Sequence, residues 1–145
     1  MHLEHVNLVV TDIAAMLKFY RAAFPHWRIR DEGRGEWYGK PCNWLHFGDE
    51  YQYLVLSDHG EGANRDLTGH SVGLAHFAYV TTNLAAVVER LQQAGFSIDS
   101  PGAEEPFRKN VYFIDPAGFE VEFVEYLSDL PAERNLNQAK SVEVQ

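Results

Sequence analysis
The chain has 145 residues, 46% of them hydrophobic, and a formal net charge of −9. One domain with an ordinary packed core fits that length and content, which excludes global disorder, and the acidic balance excludes nucleic acid or an anionic membrane as the main partner. A single cysteine, Cys42, rules out an intrachain disulfide; with no apolar N-terminal segment and no run long enough to span a bilayer, the expectation is a cytoplasmic protein.

In chain order, residues 3–10 alternate around a β-branched run and predict a strand. Leu3, His5, Asn7 and Val9 share one face, and Val6, Leu8 and Val10 the other. Thr11 is the expected N-cap of a helix carrying Ile13, Met16, Leu17, Tyr20 and Phe24 on one stripe, and Pro25 ends it. Residues 27–31 predict a short strand, residues 33–39 a charged loop, and residues 43–47 and 51–57 two strands joined at Gly48-Asp49. Residues 58–71 hold three glycines and no apolar period, and read as a connector.

The plan then repeats. LEHVNLVVTDIAAM at 3–16 returns as LAHFAYVTTNLAAV at 74–87, which sets His5 on His76, Thr11 on Thr82 and Asp12 on Asn83. Residues 73–80 predict a strand. Thr82 caps a helix bearing Leu84, Val87, Val88 and Leu91, and Gly95 stops it. Residues 96–99 read as a short strand, and residues 110–114 and 119–126 as a hairpin around Asp115-Pro116-Ala117-Gly118. The expected organisation is a first βαβββ module over 1–57, a connector over 58–72, a second module over 73–126 and a polar tail over 127–145. The predicted fold class is α+β, with two tandem βαβββ modules forming a cupped mixed sheet and helices on its outer face.

The repeat also serves as a ruler for the site. If the even residues of the first strand pack on its helix, His5 and His76 face the open side. Aligning the last strand of each half sets Val55 on Glu122. The four symmetric positions are then His5, Val55, His76 and Glu122, three of which carry metal-ligand side chains. Two imidazoles and a carboxylate can hold a divalent ion and leave positions open for substrate; Fe, Mn, Zn, Ni and Co all suit such a set. Asn7, Tyr51, Tyr53 and Tyr112 are further candidates to line the cup, and His46 lies on a middle strand.

The paired strand-histidine-helix units and the closing YFIDPAGFEVEFVE resemble the vicinal oxygen chelate superfamily, which includes glyoxalase I, bleomycin-resistance proteins, fosfomycin-resistance enzymes and type I extradiol dioxygenases. The resemblance covers 3–126. It implies that His5, His76 and Glu122 are metal ligands, and that Glu122 and Tyr112 carry the chemistry. Val55 stands where glyoxalase I has a glutamate ligand. Val111-Tyr112 through Glu122 match much of the extradiol signature, but residues 100–110 lack the histidine which that signature places before the tyrosine. The implied function is a divalent-metal-dependent enzyme acting on a small oxygen-chelating substrate by Lewis-acid catalysis. The alternatives are a small-molecule-binding or resistance-type sequestering protein without turnover, and a structural dimer. The resemblance also implies a homodimer, with His5 of one copy free to meet His76 and Glu122 of another.

Overall fold
The structure, a computed structural model, describes residues 1–137. The first module comprises β1 (His5–Val9), α1 (Ile13–Ala23), β2 (Arg28–Trp37), β3 (Lys40–Gly48) and β4 (Tyr53–Ser57). The second comprises β5 (Phe77–Val80), α2 (Leu84–Gln93), β6 (Ser100–Pro101), β7 (Arg108–Ile114) and β8 (Glu120–Tyr126), and a short α3 (Pro131–Arg134) follows. The sheets run β1-β4-β3-β2 and β5-β8-β7-β6. In each, a helix carries the chain from one edge to the other, and antiparallel hairpins bring it back to a last strand that lies parallel to the first. These two four-stranded mixed sheets with their helices are the tandem βαβββ architecture expected from the repeat. The tail expected over 127–145 contains α3, and its residues 138–145 lie outside the described residues.

Local chemistry corrects several boundaries. Both helix caps fall one residue later than Thr11 and Thr82: Asp12 accepts from the Ala15 amide at 3.0 Å, and Asn83 from the Ala86 amide at 3.1 Å. Asp and Asn are the stronger N-caps, and each oxygen reaches the third helical N–H. The segment 33–39 is not a loop. β2 runs through Gly33 and Gly35 to Trp37, and the hairpin turns at Tyr38-Gly39, where φ is positive at both positions, the signature of a tight two-residue turn. The Trp44 indole requires glycine at one of the two strand positions: a Cβ on Gly33 would sit 2.7 Å from Trp44 Cζ2, whereas one on Gly35 would meet the indole only at ordinary contact, 3.9 Å. Residues 96–99 form no strand; the edge strand β6 is two residues, Ser100 and Pro101, paired with Tyr112 and Val111, and proline suits such an edge. β5 begins only at Phe77, so His76 stands at its entrance.

The helix-side faces of both sheets share one core. Leu8, Leu45, Phe47, Leu54 and Leu56 come from the first sheet, with Val10 just past β1; Phe113, Val121 and Phe123 come from the second. α1 lies between them. Phe19 meets Phe113 and Phe96 edge-on, and Phe24 stacks on Trp27 at 4.1 Å and meets Tyr79 at 4.7 Å. Burying a side chain such as Phe19 contributes about 1.5–3 kcal/mol. Two polar contacts fix the modules to each other. Arg90 of α2 donates to the Ala22 and Ala23 carbonyls at 2.9 and 3.1 Å, satisfying acceptors that the end of α1 leaves open. The Tyr20 hydroxyl donates to Asp115 Oδ2 at 2.7 Å, while Asp115 Oδ1 accepts from the Ala117 and Phe119 amides. Burial pushes the Asp115 carboxyl above its ordinary value, against the pull of these donors.

Removing these partners is expected to cost stability in a fixed order. Tyr20→Phe leaves one acceptor of Asp115 unmet and costs about 1–2 kcal/mol, whereas Asp115→Ala strands a buried phenol and two amides and costs about 3 kcal/mol. Urea denaturation of the two variants measures both, and a larger loss for Tyr20→Phe would contradict the account.

Candidate functional site
The parallel edge pairs set the register of both open faces. Asn7 lies opposite Val55 in the first sheet, and Ala78 opposite Glu122 in the second. Leu8 and Val10 are buried on the helix side, so the odd residues of β1 face away from the core.

The second open face carries a compact polar group. Glu122 is 8% exposed. Its Oε2 lies 3.2 Å from His76 Nε2, and its Oε1 accepts from Asn110 Nδ2 at 2.9 Å. On the other side of the imidazole, His76 Nδ1 is 3.7 Å from Glu120 Oε1. Tyr112 pairs with Glu122 across β7 and β8 and sets its ring edge-on to His76, 5.4 Å between centroids. Burial pushes the Tyr112 phenol above its ordinary value of 10, and the Glu122 and Glu120 carboxylates push it the same way, against Arg108. The phenol therefore stays protonated near neutral pH. Two buried atoms beside this group have no hydrogen-bond partner, Asn110 Oδ1 and Arg108 Nε. Gly102 closes over Asn110, whose Oδ1 would lie 1.7 Å from any Cβ there.

The first open face is aromatic. His5 stacks on Tyr53 at 4.8 Å, Tyr53 on His46 at 4.7 Å, and His46 meets Trp44 at 5.2 Å. The Arg30 guanidinium sits 4.3 Å from the Tyr53 ring centre. His5 Nδ1 lies 2.9 Å from Glu4 Oε1, which the Tyr53 hydroxyl also reaches at 3.1 Å, and these hydrogen bonds, His5 first, hold the Glu4 carboxyl below its usual value. His5 thus has a carboxylate hydrogen-bonded at Nδ1, the arrangement that orients an imidazole to bind a metal through Nε2, whereas Glu120 stands 3.7 Å from His76 Nδ1, beyond hydrogen-bond distance.

Within one chain the structure brings His76, Glu122 and Tyr112 together and sets His5 on the other sheet with Tyr53. Among the described residues, no three His, Cys, Asp or Glu side chains stand close enough to hold a metal ion. The His76–Glu122 pair fits a divalent cation chemically: an imidazole nitrogen and a carboxylate oxygen converge, and Asn110 holds the carboxylate from behind. Sequence reasoning missed Asn110, Glu120 and Glu4 as supporting groups. Their signal is a strand residue of matching parity or an immediate neighbour, which singles them out only once the register is known.

Residues 2–123 match the model of the Glyoxalase/Bleomycin resistance protein/Dioxygenase superfamily, and the chain belongs to that family. Solved structures share the fold. A glyoxylase/bleomycin resistance protein/dioxygenase domain from Frankia sp. EAN1pec is 23% identical, with 94% of this chain and 98% of that one covered and a TM-score of 0.72. The fosfomycin resistance protein FosX from Listeria monocytogenes, complexed with Mn(II) and dihydroxypropylphosphonic acid, is 15% identical over 89% of this chain and 94% of that one, at 0.66. The antibiotic-binding protein TnmS3 from Streptomyces sp. CB03234 is 19% identical over 87% and 96%, at 0.58. No curated protein matches the chain. Among the described residues, no helix is long and apolar enough to cross a membrane.

The Tyr112 environment has a measurable consequence. In a pH titration of ring-labelled tyrosine followed by NMR, assigned with Tyr112→Phe, Tyr112 is expected to ionise above 10. Glu122→Gln is expected to bring it down without restoring the ordinary value, because burial persists while one negative charge is lost. An unchanged titration in Glu122→Gln would refute the coupling.

Proposed function
We propose that this chain is a divalent-metal-dependent enzyme acting on a small oxygen-chelating substrate, with His76, Glu122 and His5 of a second copy as the ligand set. The observation that carries this reading is the 3.2 Å approach of His76 Nε2 to Glu122 Oε2, with the carboxylate held from behind by Asn110. Either Fe, Mn, Zn, Ni or Co, when bound, supplies Lewis-acid polarisation of a substrate oxygen. The residues of the chain do the rest. Asn110 fixes one oxygen of Glu122 and leaves the other directed at the site. Glu122 is the carboxylate available to take or return a proton, since Val55 offers none at the symmetric position. Tyr112, kept protonated, donates a hydrogen bond to a substrate oxygen.

A homodimer supplies the missing imidazole. β1 and β5 are both unpaired sheet edges. Exposed apolar residues stand on either side of each histidine, in the strand or the segment leading into it: Leu3 and Val9 around His5 and Leu74 and Val80 around His76, which are equivalent under the repeat. Open edges bearing apolar side chains favour burial against another strand or chain. Setting β1 of one copy beside β5 of another joins the two kinds of open face into one cup. The stacked rings of the first face favour a second reading, sequestration of a flat molecule without turnover.

Elemental analysis of protein purified without added metal, with calorimetric titration of the stripped protein, tests the metal reading. Wild type is expected to bind a divalent ion, with His76→Ala and Glu122→Ala abolishing binding and Asn110→Ala weakening it by about 10–100-fold. His5→Ala is expected to bind poorly alone; mixed and exchanged with His76→Ala, it should recover about a quarter of wild-type occupancy, because each mixed dimer contains one intact site. Wild type with no affinity for Mn(II), Ni(II), Zn(II) or Fe(II) would overturn the metal reading, and mixing without recovery would overturn the shared site.

A further inference from the structure
On the open face of the first sheet lies a groove of about 360 Å³, large enough for a small organic ligand. Two aromatic pairs flank it. Trp37 stacks on His59, 5.4 Å between centroids and 12° from parallel. Trp44 and His46 stand together on β3, continuous with the Tyr53 and His5 rings. Val9 and Val55 contribute apolar lining, and Asn7 and Ser57, whose hydroxyl donates to Asn7 Oδ1 at 3.3 Å, contribute a polar point. Glu36 is the acidic member of the lining.

The backbone is adapted to this surface. Gly33 and Gly35 lie opposite Trp44 and Cys42. With no side chain at Gly33, the indole settles across β2, where an added Cβ would meet it at 2.7 Å. Trp37 is 54% exposed. An indole held in a stacked pair yet left half in water gains from a flat ligand that covers it.

We propose that this groove binds a flat aromatic ring system, uncharged or cationic, with a hydrogen-bonding substituent at the Asn7–Ser57 pair. The chain's charge of −9 and Glu36 in the lining disfavour an anion. Asn7 and Val55 are the counterparts of Ala78 and Glu122, so the groove occupies the place in the first sheet that the polar group occupies in the second. The inference therefore rests on the shared-cup reading and names its substrate class: the aromatic body of the substrate lies here while its oxygens reach the His76–Glu122 pair.

The test uses full-length protein stripped of metal with a chelator, and 2-naphthol as a probe that cannot chelate. Titration is followed by calorimetry and by NMR of the three indole N–H signals. The Trp37 and Trp44 signals are expected to shift, and that of buried Trp27 to stay. Cyclohexanol at the same concentrations should shift none. Trp37→Leu and Trp44→Leu should each weaken 2-naphthol binding by about tenfold or more, and Gly33→Ala, which displaces the indole without removing it, should weaken it too. All three should retain wild-type metal affinity. Cyclohexanol binding as well as 2-naphthol, or 2-naphthol binding indifferent to both tryptophans, would overturn the groove. Metal binding without 2-naphthol binding would overturn the groove alone, whereas 2-naphthol binding without metal binding would support the groove and overturn the metal reading.

Discussion
The hydrogen bond from Tyr20 to Asp115 joins the first helix to the turn that closes the last hairpin. That hairpin carries Asn110, Tyr112, Glu120 and Glu122, so the position of the polar group is set from the opposite side of the sheet, through the core. A buried carboxylate is costly unless its oxygens are met. Here one oxygen takes the phenol and the other takes two amides of its own turn. The same contact makes α1 common to both modules: Phe19, and Phe24 at the helix end, pack on the second sheet, while Arg21 lies over Phe47 of the first. With the helix-side faces committed to one core, the faces turned away from it are left open.

Those two faces have divided their roles. At equivalent places one presents Asn7 and Val55 among stacked rings, and the other presents Ala78 and Glu122 among carboxylates, an imidazole and a phenol. A carboxylate at both places would make the cup symmetric. A valine on one side leaves apolar surface where a ligand can rest, and a single carboxylate on the other.

The sequence showed the repeat clearly, because a strand histidine, a capped helix start and an apolar stripe recur at a fixed offset. The last strands align at a different offset, 67 residues, and Val55 and Glu122 do stand at equivalent register positions, opposite Asn7 and Ala78. The sequence served less well where tertiary contacts override local preference. Gly33 and Gly35 look like loop residues until Trp44 is seen lying over them. Thr11 and Thr82 compete with better caps one residue later. Asn110 looks like any polar strand residue until its amide is found behind Glu122. The separation of His5 from His76 and Glu122 within one chain depends on how the sheets pack against the helices, and local patterning does not encode it.

Arg90 bears on how such a chain can fold. It closes the end of α1 from the far half of the sequence, so the first module on its own would end its helix in bare carbonyls and leave Phe19 and Phe24 half covered. Contacts between residues so distant in the chain form late and slow folding. The two halves repeat one plan, yet neither is a self-sufficient piece: the first helix reaches its final stability only after the second has been made.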